Sequence, residues 1–321
     1  MEIITLDSAL KEKYPLSVDV DFEVGDTSAS NDFEIKTSEV SVYGIYVPGT
    51  EFGGVIEYHN GYSGTESKTM KGWTWRGLLT QWMIEPDSGM DYKIVSGELH
   101  TVMRELLSSV LGGFFIVPNV DTGITVNYQF ELHVSVLKGL MDMLKTYDHR
   151  LRICAKRTAE GEPISVFVEA VPIAIVDGTY DEDTGLTLQF INNQMGINHL
   201  ICWGKGELKN RQRVDLYVGA DGSISETQYY TGFAERQGLY ENSGVESLAD
   251  LKREGIEKLK ELANSKSLQI DEVTDVELDI GDIVVGRKND IGLIVEQPIT
   301  RKILRISEGV ESIEYKVKGE G

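Results

Sequence analysis

Period-two alternation of apolar and polar residues, broken by Gly, Asn, Asp and Pro, runs through most of this chain. Helical spacing interrupts it in only three places. ISVFVEAV (164–171), GLTLQF (185–190) and RVDLYVGADGSIS (213–225) read as strands, and Asp221-Gly222 as a hairpin turn. FEIKTSEVSVYGIYV (33–47) and DVELDIGDIVVGRKNDIGLIVEQPITRKILRI (275–306) repeat the pattern near the two ends, with corners at Gly281-Asp282 and Asn289-Asp290. The helical segments are SGELHTVMRELLSSVLGG (96–113), VSVLKGLMDMLKTY (134–147) and SLADLKREGIEKLKELANS (247–265). The first places Leu99, Val102, Met103, Leu106 and Val110 on one face and stops at Gly112-Gly113. The second has Ser135 as its cap, and the third pairs Ser247 with Asp250 in a capping-box pattern. The expected fold class is therefore α+β, mainly β. The expected domains are a β-barrel-like 1–80, a mixed α+β 81–185, and a second β-barrel-like 186–321 with a helical insertion at 247–263.

Charge narrows the function. Lys plus Arg total 31 against 52 Asp plus Glu, a net charge of −21, which argues against stable binding of nucleic acid. Residues 1–66 hold thirteen carboxylates and only Lys11, Lys13 and Lys36 as cations. Such a surface is solubilising, and it also suits a wall that DNA must pass without sticking. No apolar run approaches the ~20 residues that span a bilayer, and the first residues, MEIITLDSAL, lack the features of a signal peptide. Cys154 and Cys202 form no CxxC pair and read as buried thiols.

Catalytic and metal motifs do not emerge. Asp121-Thr122-Gly123 and Asp183-Thr184-Gly185 resemble the triplets of aspartic proteases, but each lies between β-like runs where Asp, Thr and Gly are ordinary turn residues. Asp177, Asp181 and Asp183 fail the calcium-loop spacing, because position 185 is already Gly and position 191 is Ile. His59, His100, His133, His149 and His199 never pair at zinc-site spacing, and Gly204-Lys205-Gly206 is too short for a phosphate loop. No catalytic, cofactor-binding or metal-ligating residue is assigned. In KGWTWRGLLTQWMIEP (71–86), Trp73 and Trp75 are expected to pack inward at a strand-to-helix junction, with Arg76 fixing the turn. The alternative is a sugar-stacking platform, and Trp82 lies beyond the junction.

Several stretches together resemble the tail-hub proteins of siphoviruses and prophages. They are NDFEI (31–35), YVPGTEFGGVIE (46–57), GWTWRGLL (72–79), MIEPDSGMDYKIVSGELHTVMREL (83–106), DIGDIVVGRKNDIGLIVEQPITRKIL (279–304) and IEYKVKG (313–319). The resemblance implies a phage baseplate-hub-like fold, two β-barrel-like domains flanking a mixed domain. It implies a homotrimer forming a six-barrel ring at the virion tail tip, assembled in the bacterial host cytoplasm. The implied partners are a distal tail protein, a tape-measure protein and tail fibre or receptor-binding proteins, with no cofactor and no enzymatic activity. Longer members add fibre or cell-wall-hydrolase modules, which GEG at the end of this sequence does not suggest. The competing readings are a carbohydrate-binding or a peptidoglycan-degrading tail protein acting on the host surface.

Overall fold

A computed structural model describes residues 1–27, 30–38, 42–61, 63, 68–177, 186–273, 276–288 and 293–318. It divides into two compact units, Met1–Leu188 with Gln269–Gly321, and Gln189–Leu268. The segment 186–321, expected to form one domain, is thus split, because its last third supplies strands to the N-terminal sheet.

The first unit begins with seven short strands: β1 (Ile3–Leu6), β2 (Glu12–Leu16), β3 (Asp19–Gly25), β4 (Asp32–Thr37), β5 (Gly44–Tyr46), β6 (Gly53–Gly61) and β7 (Lys68–Thr74). Alternation does what the pattern predicts. In β3, Val20, Phe22 and Val24 are buried while Asp19 and Asp21 face out. Where β6 crosses β7 the backbones approach so closely that only glycine fits. A Cβ on Gly72 would lie 1.9 Å from the Val55 carbonyl oxygen, and one on Gly54 would lie 1.9 Å from that of Trp73.

The chain then forms α1 (Trp75–Leu78), β8 (Ile94–Glu98), α2 (Leu99–Leu107), β9 (Phe115–Ile116), β10 (Thr125–Gln129), α3 (Val136–Thr146), β11 (His149–Arg157), β12 (Ile164–Pro172) and β13 (Ile175–Asp177). Ser135 caps α3 as expected, its Oγ accepting from the Lys138 amide at 3.3 Å. The cap of α2 is Glu98, whose carboxylate accepts from the His100 and Thr101 amides. The apolar faces of α2 and α3 pack with β11 and β12 into one core that includes Leu99, Met103, Leu140, Ile153 and Val166.

After the second unit the chain returns as β20 (Ile283–Lys288), β21 (Leu293–Ser307) and β22 (Val310–Val317); β14 to β19 are given below. The main sheet has the order β13-β20-β21-β3-β4-β7-β6-β5-β1-β2, with β22 also on β21. β21 pairs with β3 from Arg301↔Gly25 to Ile306↔Val20, so the C-terminal run does not join strands after residue 186 as the sequence suggested. Burial explains this. Ile280, Leu304 and Ile306 complete a core built otherwise from Phe22, Val24, Phe33, Ile35 and their neighbours. Gly281 sits in a turn at φ +97°, as expected, whereas Asn289-Asp290 and Gly292 lie outside the described residues.

The second unit and its margins comprise β14 (Leu186–Asn193), β15 (His199–Trp203), β16 (Arg213–Val218), β17 (Ile224–Ser225), β18 (Gln237–Glu241), α4 (Leu248–Leu262) and β19 (Ser265–Val273). β14 pairs with β19, and a four-stranded sheet has the order β17-β16-β15-β18. The Asp221-Gly222 hairpin forms, with the Gly219 amide donating to the Ser223 carbonyl at 2.7 Å. α4 is not an excursion on a barrel. Its Leu251 and Leu259 cover Leu200, Cys202, Val214 and Leu216 of the sheet, forming this unit's own core.

Candidate functional site

The tryptophan stretch folds as a junction. Thr74 ends β7 and caps α1, its Oγ1 accepting from the Gly77 amide at 3.1 Å and donating to the Asn31 carbonyl at 3.1 Å. Trp75 is fully buried, its ring 5.8 Å from that of Phe114, so it cannot serve as a sugar platform. Trp73 is half-buried, and Trp82, at 38% exposure, lies on the surface.

Arg76 follows Trp75 into the interior. Its Nε and Nη2 donate to Glu51 Oε2 at 3.1 and 2.9 Å, and Nη2 also donates to the Leu151 carbonyl at 3.1 Å. Both side chains are almost sealed, 1% and 5% exposed. A second set of ions lies in the same unit. Arg150 donates to Asp279 at 2.9 Å and to Asp282 at 2.6 Å, and Lys302 donates to Asp279 at 2.9 Å. Burial pushes the Asp279 carboxyl up, but Lys302 and Arg150 outweigh it and hold it below the usual range. Burial likewise pushes Lys302 down, and Glu51 and Asp279 carry it above its ordinary value. These ions tie together segments around residues 51, 76, 150, 280 and 302. Each carboxylate in them is held by an Arg or Lys donor, so the ions pair with one another across these segments.

A different arrangement lies on the outer face of β3 and β4. Asp19, Asp21 and Glu23 alternate outward along β3, and Asp32 and Glu34 along β4. Asp21 and Glu34 stand directly opposite one another, flanked by Arg305 on Asp21 at 3.2 Å and Lys71 on Glu34 at 2.6 Å. Like charges opposed across strands repel. Burial raises the Asp32 carboxyl above its ordinary value, and the Glu23 charge raises it further. A shallow groove of about 440 Å³ runs over this face, lined by these five carboxylates and by Lys36, Lys71 and Arg305. The other N-terminal carboxylates are dispersed. Asp7 caps its own turn, Glu12 takes the Tyr46 hydroxyl and Arg157, and Asp26 is half-buried at a separate cavity.

The remaining candidates resolve as structure. Asp121 accepts from the Gly123 amide at 2.8 Å inside its turn, and Thr122 donates to Glu98. Asp181 and the triplet Asp183-Thr184-Gly185 lie outside the described residues. His100 is a satisfied core histidine, its Nδ1 2.8 Å from the Val120 carbonyl and its Nε2 accepting from the Ala170 amide at 3.1 Å. Cys202 is buried and Cys154 only half-buried; burial raises both thiols, Cys202 to about 11, so neither is a ready thiolate. Among the described residues no group of His, Cys, Asp and Glu is arranged to hold a metal ion. No helix among them is long and apolar enough to cross a membrane.

Two polar clusters escaped sequence reasoning because their members are distant in the chain. His199, buried in the second unit, has Nδ1 2.6 Å from Glu235 and Nε2 2.8 Å from Asp215, with Tyr217 stacked on its ring. Glu98 gathers five donors from His100, Thr101 and Thr122. Burial pushes Glu98 up, but these donors overcome it and hold the carboxyl at about 2. A depressed carboxylate stabilises the fold above its unfolded value near 4.5, and that contribution is lost as pH falls toward 2. Glu98→Ala is therefore expected to cost about 1–2 kcal/mol at neutral pH, the range of a strong cap. The deficit should shrink in urea titrations as the pH is lowered through that window.

The architecture defines a class: the chain has the fold of a phage tail protein. It aligns with the crystal structure of prophage tail protein gp18 from Listeria monocytogenes EGD-e at TM-score 0.50 and 13% identity, over 99% of this chain and 95% of that one. The 43 kDa tail protein of prophage MuSo2 from Shewanella oneidensis gives TM-score 0.47 and 13% identity, over 99% and 98% of the chains. A chain of the phage P2 baseplate in its activated conformation gives 0.43 and 10%, over 99% of each. No protein-family model matches the sequence, and no curated protein matches it.

Proposed function

We propose that the protein is a structural component of a phage or prophage tail tip, the trimeric hub that closes or continues the tail tube and anchors neighbouring tail or fibre proteins. The observation that carries this reading is the likeness of fold to a prophage tail protein across 99% of the chain. In this reading three copies alternate their β-rich parts around a three-fold axis at the virion tail tip, after assembly in the host cytoplasm. Distal tail, tape-measure and fibre or receptor-binding proteins are the neighbours, and the chain performs no catalysis. The face carrying Asp19, Asp21, Glu23, Asp32 and Glu34 lines the axial channel, where carboxylates let DNA leave without adhering.

Gathering these carboxylates around one axis costs repulsion, which salt screens over ~8 Å at physiological ionic strength. The isolated trimer is therefore expected to be favoured by salt. Light scattering across a concentration and salt series measures this. A strict monomer at high concentration and high salt overturns the trimeric hub, as does a tail-tip reconstruction in which the channel is basic.

A further inference from the structure

We infer that a groove between the 82–95 segment and α2 is a docking site for a basic amphipathic helix of a partner protein. The groove measures about 520 Å³, within the ~300–1,000 Å³ range of sites that seat several apolar groups. Its floor is Ile84, Val95, Val110 and Val136, all buried. Its wall is Trp82 and Met83, which remain 38% and 55% exposed.

That wall is preformed. The Val136 amide donates to the Trp82 carbonyl at 2.8 Å, and the Ile84 amide to the Val134 carbonyl at 2.9 Å, which fixes the backbone on either side of Met83. A preordered apolar surface loses little entropy on binding, and Trp and Met are side chains enriched at interfaces.

Charge complementarity identifies the occupant. Glu85 and Glu105 stand exposed at the rim, and neither side chain has an ion-pair or hydrogen-bond partner among the described residues. The cation beside them, Lys93, already donates to Asp87 at 2.6 Å. An apolar trough with unpaired carboxylates on its rim matches a helix with large apolar residues on one face and Lys or Arg beside them. A second copy of this chain, at net charge −21, is the poorer electrostatic match. The inference concerns only this groove and stands whether or not the chain is a trimeric hub.

The test uses the full chain and two synthetic helical peptides with the same leucine face, one with lysines on its polar face and one with glutamates. Fluorescence anisotropy should show binding of the lysine peptide, weakening with salt, and little binding of the glutamate peptide. Met83→Asp, and separately the pair Glu85→Lys with Glu105→Lys, should each weaken the lysine peptide by about tenfold or more, the scale of losing an interface anchor. Glu160→Lys with Glu207→Lys makes the same change in net charge at exposed positions elsewhere and should leave affinity near the parent value. All these positions are exposed, so circular dichroism should remain unchanged. Equal loss in the distant pair would reduce the binding to general charge attraction and overturn the site. So would equal binding of both peptides, no binding of either, or a self-association abolished by Met83→Asp.

Discussion

A chain ending at Leu268 is expected to lose the cooperative thermal transition of the first unit. The missing part carries β20, β21 and β22, and β21 is the strand that pairs with the outer side of β3. Without it, Val20, Phe22 and Val24 lose Ile280, Leu304 and Ile306 from a shared core. Fully burying one such side chain stabilises by about 1.5–3 kcal/mol, and whole domains are stable by only about 5–15 kcal/mol. Three of them, with Ile299 and Ile303 buried on the same strand, approach that total before the strand's hydrogen bonds are considered. Differential scanning calorimetry would separate the units, since 189–268 has its own core and can keep a smaller transition. An unchanged thermogram would show that the C-terminal strands are dispensable.

Arg76→Ala is expected to destabilise the first unit by about 3–5 kcal/mol, because it removes both guanidinium donors from the buried Glu51 carboxylate. The loss exceeds the deletion of a contact. The Leu151 carbonyl also loses a donor, and Nη1 has Met141 Sδ at 3.8 Å, so a packed volume disappears as well. Replacing both partners, Arg76→Met with Glu51→Leu, should recover most of the deficit, since apolar groups of similar size remove the uncompensated charge. The exposed pair Lys138–Asp142 supplies the contrast: disrupting it should cost less than about 1 kcal/mol. Urea denaturation of the parent and these three variants measures all three differences. A double variant as unstable as Arg76→Ala would mean that the hydrogen bonds, not the stranded charge, dominate.

What was legible in the sequence follows the range of the interaction. Caps and turns involve residues a few positions apart, so Ser135, the Ser247–Asp250 pair and the Asp221-Gly222 hairpin are where the pattern put them. The apolar stripe of α2 was equally local, and Leu99, Val102 and Met103 are buried as its spacing required. Trp75 and Arg76 were recognisable as a junction, but nothing near Glu51 marked it as the partner of Arg76. The union of β21 with β3 had no local signal either, because alternation says that a strand has a buried face and not which strand it meets. That is why the run after residue 275 was assigned to its sequence neighbours. The acidic face was half legible: the excess of carboxylates was plain, but only the strand register shows that Asp19, Asp21, Glu23 and Asp32 share a face while Asp7, Glu12 and Asp26 do not.

The pairing of β3 with β21 has a consequence for the order in which the molecule can be made. Roughly 280 residues separate the two strands, so at ~5–20 residues per second β3 leaves the ribosome about 15–55 s before its neighbour exists. Through that interval the nascent sheet, once β4 has joined it, presents a bare edge at β3. Many ribosomes on one message hold many such edges close together, the situation in which sheets stick to one another. Asp19, Asp21 and Glu23 lie along that edge. Two nascent chains meeting there would bring like charges face to face, and the late strand offsets part of that charge, Arg301 on Glu23 at 3.1 Å and Arg305 on Asp21 at 3.2 Å. The same carboxylates thus set a like-charge cost on pairing two half-made sheets before the closing strand arrives.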